Sequence, residues 1–588
     1  MSQKNLQKIQ PDAELHQMLQ SITESEKEEF IELIFSLLKQ ASTTEHLLAM
    51  QYLFTSFSLK KYPEEFADYK GVYPNPEKEK VKNEKNPNDS SEFEEPPLTE
   101  TQQKINEIRE AQVEKIRRWE ANILMVSREE MTHLCYDMNL LAILGKDPYM
   151  YRPNFPVPAT AFPLGKPVNL MPFSPVALEI FRYWEKPDHL PVKDPLLADG
   201  IPEGLKELFT IPHKDPDQFN HPETHQEAMD FLKKFFSKSL DQNTLAKIHD
   251  PLTSGTHFDS IEQLYTFIRA FLLIGLKYKV FEGQNMERIV DEHYGFNINL
   301  NPLVLGQFEA YVEEAIEQII EEGEGVWGIP PALGSHFWVF QTVIDSMSRE
   351  SKESGLSFEP ALPVVWNPTC ATLKDRHLIN SIPNMPSNAT YQVTNVVAIQ
   401  AMQLFNEAYT TMIKMLSGFF GHYEIDQTTG IRPPQVNAYF QTAFYPFMTN
   451  VIRPLGEMIC RLPADESFVP DGGKVPDRCA GPDFLFDISQ FDSCGIDEAI
   501  KPYNDVDKYL AHFEAMKESA LKIKDLCEER GYHMAFYRQT DARDFPVSFQ
   551  YLAENFERIG KNFCAYWDGK MVAPISSKGF QNYSTNFN

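Results

Sequence analysis

Between Thr99 and Leu144 the chain runs without a proline or a glycine. That stretch reads as one helix of more than about 40 residues, roughly 65 Å long at 1.5 Å per residue. Thr99-Glu100-Thr101-Gln102 has the spacing of a capping box at its start. Gly145 is placed to end the helix, and Pro148 prevents its continuation.

The last turns of this helix, Val126–Leu144, are amphipathic and carry Glu130 and His133 in a Glu-x-x-His spacing. Positions i and i+3 share a helix face, so a carboxylate and an imidazole point the same way about one turn apart. Val126, Asp137 and Leu140 continue that face, which is otherwise largely apolar. An isolated carboxylate buried there would lose its hydration, and a metal ion would remove that cost. The motif is short. A surface Glu130 beside a hydrogen-bonded core His133 satisfies the same spacing. A second stretch, Ala41–Ser58, repeats the pattern: Glu45, Leu48, Ala49 and Tyr52 fall on one face, with a carboxylate inside an apolar stripe. His46 points about 100° away from Glu45 and reads as a packing or supporting histidine.

Composition narrows the functional classes. The 588 residues carry a net charge of −29, which argues against nucleic-acid or anionic-membrane partners. No apolar run approaches the roughly 20 residues needed to span a bilayer. The first residues, MSQKNLQKIQPDAELHQ, lack the apolar core of a secretory signal. The seven cysteines include no Cys-x-x-Cys pair, which removes the usual zinc and thioredoxin signatures. A cytoplasmic protein with reduced thiols is the expectation.

The pass along the chain predicts a mainly α fold: a helical bundle with long irregular insertions, followed by a C-terminal helical region. Residues 1–40 form a helical lead-in, 41–350 the bundle, and 356–588 the C-terminal region. Pro74–Pro97 is polar and nearly free of large apolar residues, so it reads as a mobile insertion. A second insertion spans 188–255, with a helix at Thr224–Ser237. Tyr149–Pro172 is proline-rich and reads as an irregular wrap. Helices follow at Ile261–Leu276 and Gln307–Glu322, and another opens at His336. Beyond residue 355 the predicted helices are Val396–Phe420, Val436–Leu462 with kinks at Pro446 and Pro454, and Val506–Arg530. The last 50 residues read as mixed, with short strands at Phe536–Tyr537 and Val572–Ile575.

Glu45, Glu130, His133, the glutamates of 314–324 and His336 supply the donors of a carboxylate-bridged metal pair. Di-iron bundles take one Glu from each of two helices and a Glu-x-x-His from each of two others. Carboxylate oxygens with imidazole suit iron, with manganese as the alternative, better than zinc or copper. Leu333 stands three residues before His336 where a second Glu-x-x-His would place a Glu.

The text of the chain also resembles a known family. Glu45-His46 with Tyr52-Leu53, Arg128-Glu129-Glu130-Met131-Thr132-His133-Leu134, and Asn139-Leu140-Leu141 with Gly145 and Pro148 are similar to the ferritin-like iminophenyl-pyruvate dimer synthases. So are Pro172-Phe173-Ser174 with Phe181 and Pro187, Gly323-Glu324-Gly325, and Ser335-His336-Phe337. Arg453-Pro454-Leu455-Gly456-Glu457, Leu462-Pro463 and Ala480-Gly481-Pro482 continue the likeness. It covers most of Ser42–Pro482, interrupted at 74–97 and 188–255. At domain level it extends to the imine-coupling enzymes of violacein and rebeccamycin formation.

The resemblance implies a ferritin-like, metal-dependent oxidoreductase of secondary metabolism. Its small-molecule substrates would be α-imino acids, made from aromatic amino acids by a flavin amino-acid oxidase and joined oxidatively as their enamine tautomers. It implies one or two iron ions held by Glu45, Glu130, His133, Glu321 and His336, with Glu317 or Glu324 as replacements for Glu321. Two other functions stay open: a di-iron oxidase or oxygenase on another small substrate, and a non-catalytic interaction or scaffold protein.

Overall fold

The computed structural model describes residues 13–70, 98–159, 162–187, 190, 225–238, 258–283, 288–290, 308–325, 334–372, 389–422, 433–470, 475–486, 500–533 and 545–571. The insertion at Pro74–Pro97, most of 188–255, Leu333 and both expected C-terminal strands lie outside the described residues.

Two long helices form the spine. Helix α1 (Ala13–Leu19) leads into α2 (Glu24–Phe57), and α3 spans Glu100–Ile143. The boundary expected at residue 40 falls inside α2, which has no break there. Thr23 starts α2 with a reciprocal cap: its hydroxyl accepts from the Glu26 amide, and the Glu26 carboxylate accepts from the Thr23 amide at 2.8 Å. Thr99 caps α3 by accepting from the Gln102 amide. Gly145 closes α3 at φ +76°, a conformation that glycine adopts without a Cβ penalty. The two helices run antiparallel. Ser127 on α3 donates to the Ala49 carbonyl on α2, and Lys61, just beyond α2, meets Glu120 on α3.

The middle of α2 buries many polar residues, and the irregular segment after α3 explains them. The His46 ring bonds to the Met150 carbonyl at 2.8 Å. Gln51 donates to the Asn169 carbonyl and Thr55 to the Met171 carbonyl, both at 2.7 Å. A non-helical chain packed on a helix brings unpaired carbonyls into the core, and these side chains satisfy them. The wrap ends at Ser174, whose hydroxyl caps α4 (Pro175–Trp184).

Further helices complete the bundle: α5 (His225–Phe236), α6 (Ile261–Lys277), α7 (Phe308–Gly323) and α8 (His336–Glu353). Helix α4 packs on α8, α6 on α7 and α2, and α3 on α7 and α8. The C-terminal region contains α9 (Val396–Gly421), α10 (Pro434–Thr442), a π-helical stretch at Ala443–Ile452, α11 (Arg453–Ile459), α12 (Val506–Glu529) and α13 (Phe545–Trp567). Pro446 is absorbed by the wider π turns, so the expected single kinked helix becomes three segments. The expected mixed ending is corrected by α13, whose buried Phe545, Phe549, Leu552, Phe556, Ile559 and Phe563 follow helical spacing. The described strands amount to a short parallel pair, Pro368–Thr369 with Tyr391–Gln392.

Helix α11 docks on the end of α2. A Cβ on Gly456 would meet the Phe57 ring at 2.5 Å, so only glycine permits this approach. Buried charges fix the same junction. Arg461 and Glu65 are both fully buried and pair at 2.7 Å. Lys61 and Arg453 share Glu457 at 2.9 and 2.7 Å. Breaking one partner of a buried pair leaves an uncompensated charge, which costs roughly 3–5 kcal/mol. Denaturant unfolding of Arg461→Ala should show a loss of that order, and Arg461→Met with Glu65→Leu together should recover much of it. A loss below about 1 kcal/mol in Arg461→Ala would show that the pair does not hold the junction.

Candidate metal centre

Five buried side chains converge between α2, α3, α4 and α8. Glu45 comes from α2, and Glu130 and His133 from α3. Glu185 stands at the C-terminal end of α4, and His336 is the first residue of α8, placed by the Ser335 cap. All five are 2% exposed or less, so water does not hold their charges apart.

Glu130 sits at the middle. Its Oε2 lies 3.0 Å from His133 Nδ1, and its Oε1 lies 3.0 Å from His336 Nδ1. The two imidazole rings are 5.5 Å apart, centre to centre. Glu45 Oε2 flanks His133 Nδ1 at 3.4 Å, and Glu185 Oε2 flanks His336 Nδ1 at 3.5 Å. The donors thus form two overlapping groups, Glu45–Glu130–His133 and Glu130–Glu185–His336, that share Glu130.

The surroundings repeat this near-symmetry. The Tyr265 hydroxyl donates to Glu45 Oε1 at 2.7 Å, and the Tyr52 hydroxyl donates to Glu185 Oε1. His133 Nε2 faces Glu322 Oε2, and His336 Nε2 faces Glu129 Oε2, each at 3.2 Å. Outer carboxylates that hold the far nitrogen of an imidazole orient it and raise its basicity as a ligand. The Glu322 and Glu129 side chains are 28% and 25% exposed, so the cluster meets solvent at their edge.

Burial drives the electrostatics. The Glu45 carboxyl is pushed up to about 7, first by burial and then by the Glu130 charge. Burial and the Glu45 charge also raise the Asp137 carboxyl, whose oxygens lie 3.1 and 3.2 Å from the Tyr265 hydroxyl. Burial pulls the His133 imidazolium down, but the carboxylates of Glu130, Glu322 and Glu45 outweigh it and hold it well above 6.5. His336 behaves alike under Glu130, Glu129 and Glu185.

Each of the two donor groups could hold a metal ion. Glu130 Oε1 and His336 Nδ1 are buried and face each other as an ion pair at 3.0 Å, as Glu130 Oε2 and His133 Nδ1 do. Three carboxylates against two imidazoles leave an excess of negative charge in a dry core, which is costly unless a cation offsets it. Three carboxylates with two imidazoles make a donor set of hard oxygens and nitrogen, of the kind iron or manganese accepts.

Of the residues expected from the sequence, Glu45, Glu130, His133 and His336 come together. Glu321 does not: it is exposed on α7. The buried stripe of α7 is Val312, Ala315, Ile316 and Ile319, and Glu322 continues it one turn on. Glu314, Glu317 and Glu321 lie on the other side of that helix. Glu324 is buried, but it accepts from the Glu262 amide at 2.9 Å and so caps α6. The glutamate directly before Gly323 is in fact Glu322. Glu185 went unseen in the sequence, although it extends the apolar spacing of Leu178 and Phe181 as Glu45 and Glu130 extend theirs. His46 packs: its Nε2 meets the Tyr409 hydroxyl at 2.5 Å, away from the cluster, and burial holds its pKa near 3.

A family model described as ferritin-like matches residues 38–345 of the chain. The match contains all the clustered residues. No curated protein and no solved structure matches.

Single substitutions should separate the two donor groups. Glu130→Ala should fall from about two ions per chain to none, and Glu45→Ala or Glu185→Ala to about one. Glu321→Ala should retain the parent's metal content. Elemental analysis of proteins purified without a chelating tag reads these outcomes directly, and equal loss in Glu321→Ala would displace the site.

Metal-free stability should depend on pH in a defined direction. A carboxyl raised from 4.5 to about 7 in the folded state loses stability as pH climbs through that window. His133 and His336, raised above 6.5, contribute fully below pH 6.5 and less as pH passes their folded values. Both terms have the same sign. Chelator-treated protein should therefore melt higher at about pH 5.5 than at about pH 8, and added Mn²⁺ should narrow the gap. Higher thermal stability of the chelated protein at the alkaline end would contradict this assignment.

Proposed function

The chain belongs to the ferritin-like family, and we propose that it is a dinuclear non-haem metal oxidoreductase that couples α-imino acids derived from aromatic amino acids. The observation that supports the metal part is Glu130, which turns one oxygen to each of two histidines in a core where three carboxylates face two imidazoles. Iron or manganese, when bound, supplies redox chemistry that the side chains alone lack.

The protein's own groups prepare that chemistry. Tyr265 and Tyr52 fix the outer oxygens of Glu45 and Glu185, which leaves the inner oxygens facing the histidines. Glu322 and Glu129 hold the imidazoles from behind. The Tyr52, Phe181 and Phe340 rings pack with centroids 4.8 to 5.4 Å apart and keep water from the Glu185 side. Such rigid support limits rearrangement of the donors during turnover.

The substrate class rests on the resemblance to the iminophenyl-pyruvate dimer synthases. Its motifs gather around the site: Arg128–Leu134 carries Glu129, Glu130 and His133, Ser335-His336-Phe337 starts α8, and Gly323-Glu324-Gly325 follows Glu322. Joining two enamines through carbon removes two electrons and two protons. A peroxide co-produced by the flavin amino-acid oxidase that makes the imine would accept them and leave as water.

Mass spectrometry tests the assignment. Metal-loaded protein, an aromatic amino acid and a flavin amino-acid oxidase should yield a dimer two hydrogens short of twice the imino acid. Glu130→Ala should lower that yield roughly 100-fold or more. Metal binding without any dimer would remove the coupling reaction and leave the metal assignment standing. A parent protein that binds no metal would point to an interaction or scaffold role instead.

A further inference from the structure

Glu45 and His46 are neighbours on α2 and point about 100° apart, Glu45 into the donor cluster and His46 away from it. The His46 ring is held at both nitrogens. Its Nδ1 meets the Met150 carbonyl at 2.8 Å, and a carbonyl only accepts, so Nδ1 carries the proton. Nε2 is then an acceptor, and the Tyr409 hydroxyl donates to it at 2.5 Å. The same Tyr409 oxygen accepts from Arg152 Nε at 3.1 Å. Arg152 is fully buried, donates to the Phe484 carbonyl and lies over the Phe486 ring at 4.9 Å. Asn154 closes the socket by exchanging two hydrogen bonds with the Phe486 backbone, at 2.8 and 2.9 Å. Met150, Arg152 and Asn154 belong to the wrap after α3. Tyr409 on α9, with Phe484 and Phe486, lies beyond residues 38–345, the extent of the ferritin-like match.

We infer that Tyr409 is a positioning residue for the metal centre, acting through His46 on the α2 turn that carries Glu45, and that the C-terminal region is thereby part of the support of the site. The inference rests on the metal assignment above and adds a role for a residue on the far side of α2. Tyr265 fixes the carboxylate end of Glu45. The His46 socket fixes its backbone end. Side-chain tips lie roughly 5–6 Å from a helix axis, so a rotation of α2 by about 10° moves the Glu45 carboxylate by about 1 Å. That is a large part of the 3.4 Å between Glu45 Oε2 and His133 Nδ1. The same rotation must drag the His46 ring through its socket, against the Tyr409 and Met150 bonds. Without the Tyr409 oxygen, His46 Nε2 and Arg152 Nε are two buried polar atoms that must find other partners, and the turn moves with them.

Anaerobic titration with Mn²⁺ alone, followed by the electron paramagnetic resonance of free and bound Mn²⁺, tests this without any turnover. Tyr409→Phe removes one oxygen and keeps the ring. It should bind Mn²⁺ about tenfold more weakly than the parent, with an altered line shape for the bound ion. Tyr509→Phe is the control, because it removes another buried hydroxyl of the C-terminal region, one that accepts from the Tyr503 amide at 3.2 Å. It should keep the parent's affinity and line shape. His46→Leu cuts the same bond from the α2 side and should reproduce the Tyr409→Phe result, and the double variant should lose no more than either alone. A parent-like titration in Tyr409→Phe or His46→Leu, or an equal loss in Tyr509→Phe, overturns the positioning role and leaves the metal assignment intact. No Mn²⁺ binding by the parent overturns both. Circular dichroism identifies a variant that fails to fold, and the other of the pair then decides.

Discussion

A buried carboxylate whose two oxygens each face a different imidazole is the constraint on which the rest of this structure depends. Glu130 is 1% exposed, and the four groups around it are nearly as dry. Such a cluster is hard to keep folded as bare charge, because desolvation opposes every ionised member. The protein responds by surrounding it with donors. Tyr265 and Tyr52 cover the outer oxygens, Glu322 and Glu129 hold the far nitrogens, and both oxygens of Glu130 face the near nitrogens of the histidines. The donors are held from outside, and their inner atoms converge on Glu130.

The long helices exist to hold that geometry, and the irregular segments exist to close it. Helices α2 and α3 contribute Glu45, Glu130 and His133 from buried turns that lie more than two turns inside their ends. Glu185, Glu322 and His336 instead come from helix ends. A helix end lets the chain turn away after delivering one side chain, and the Ser335 cap fixes where His336 begins. The wrap after α3 covers the outer face of α2 and gives its buried Gln51, Thr55 and His46 their partners. The C-terminal helices then lock the end of α2 through Gly456 and the Arg461–Glu65 pair. Stability and site geometry are thus linked through one helix.

What was legible in the sequence follows from which signals are local. The unbroken run from Thr99, the cap at Thr99 and the glycine stop at Gly145 are local, and helix α3 appears with those ends. A carboxylate inside an apolar stripe is also local, and it pointed to Glu45 and Glu130. His336 stood out through its position at a helix start. Glu185 was missed because it stands just past a ten-residue helix, where the stripe is too short to attract notice. The choice of Glu321 over Glu322 failed on phase: a one-residue step on a helix is about 100°, enough to move a side chain from the core to solvent. Helix α13 was hidden because its periodicity is carried by aromatic residues that also suit strands. The pairing of each tyrosine with its carboxylate joins residues 133 and 220 positions apart, which no local pattern records.

The central claim is that Glu130 is shared between two metal ions. Anomalous diffraction at the manganese edge, from crystals of the metal-loaded protein, tests it most directly. Two anomalous peaks should flank the Glu130 carboxylate, one on the His133 side and one on the His336 side. A lone peak that touches only one histidine at full loading, or peaks remote from Glu130, would contradict it.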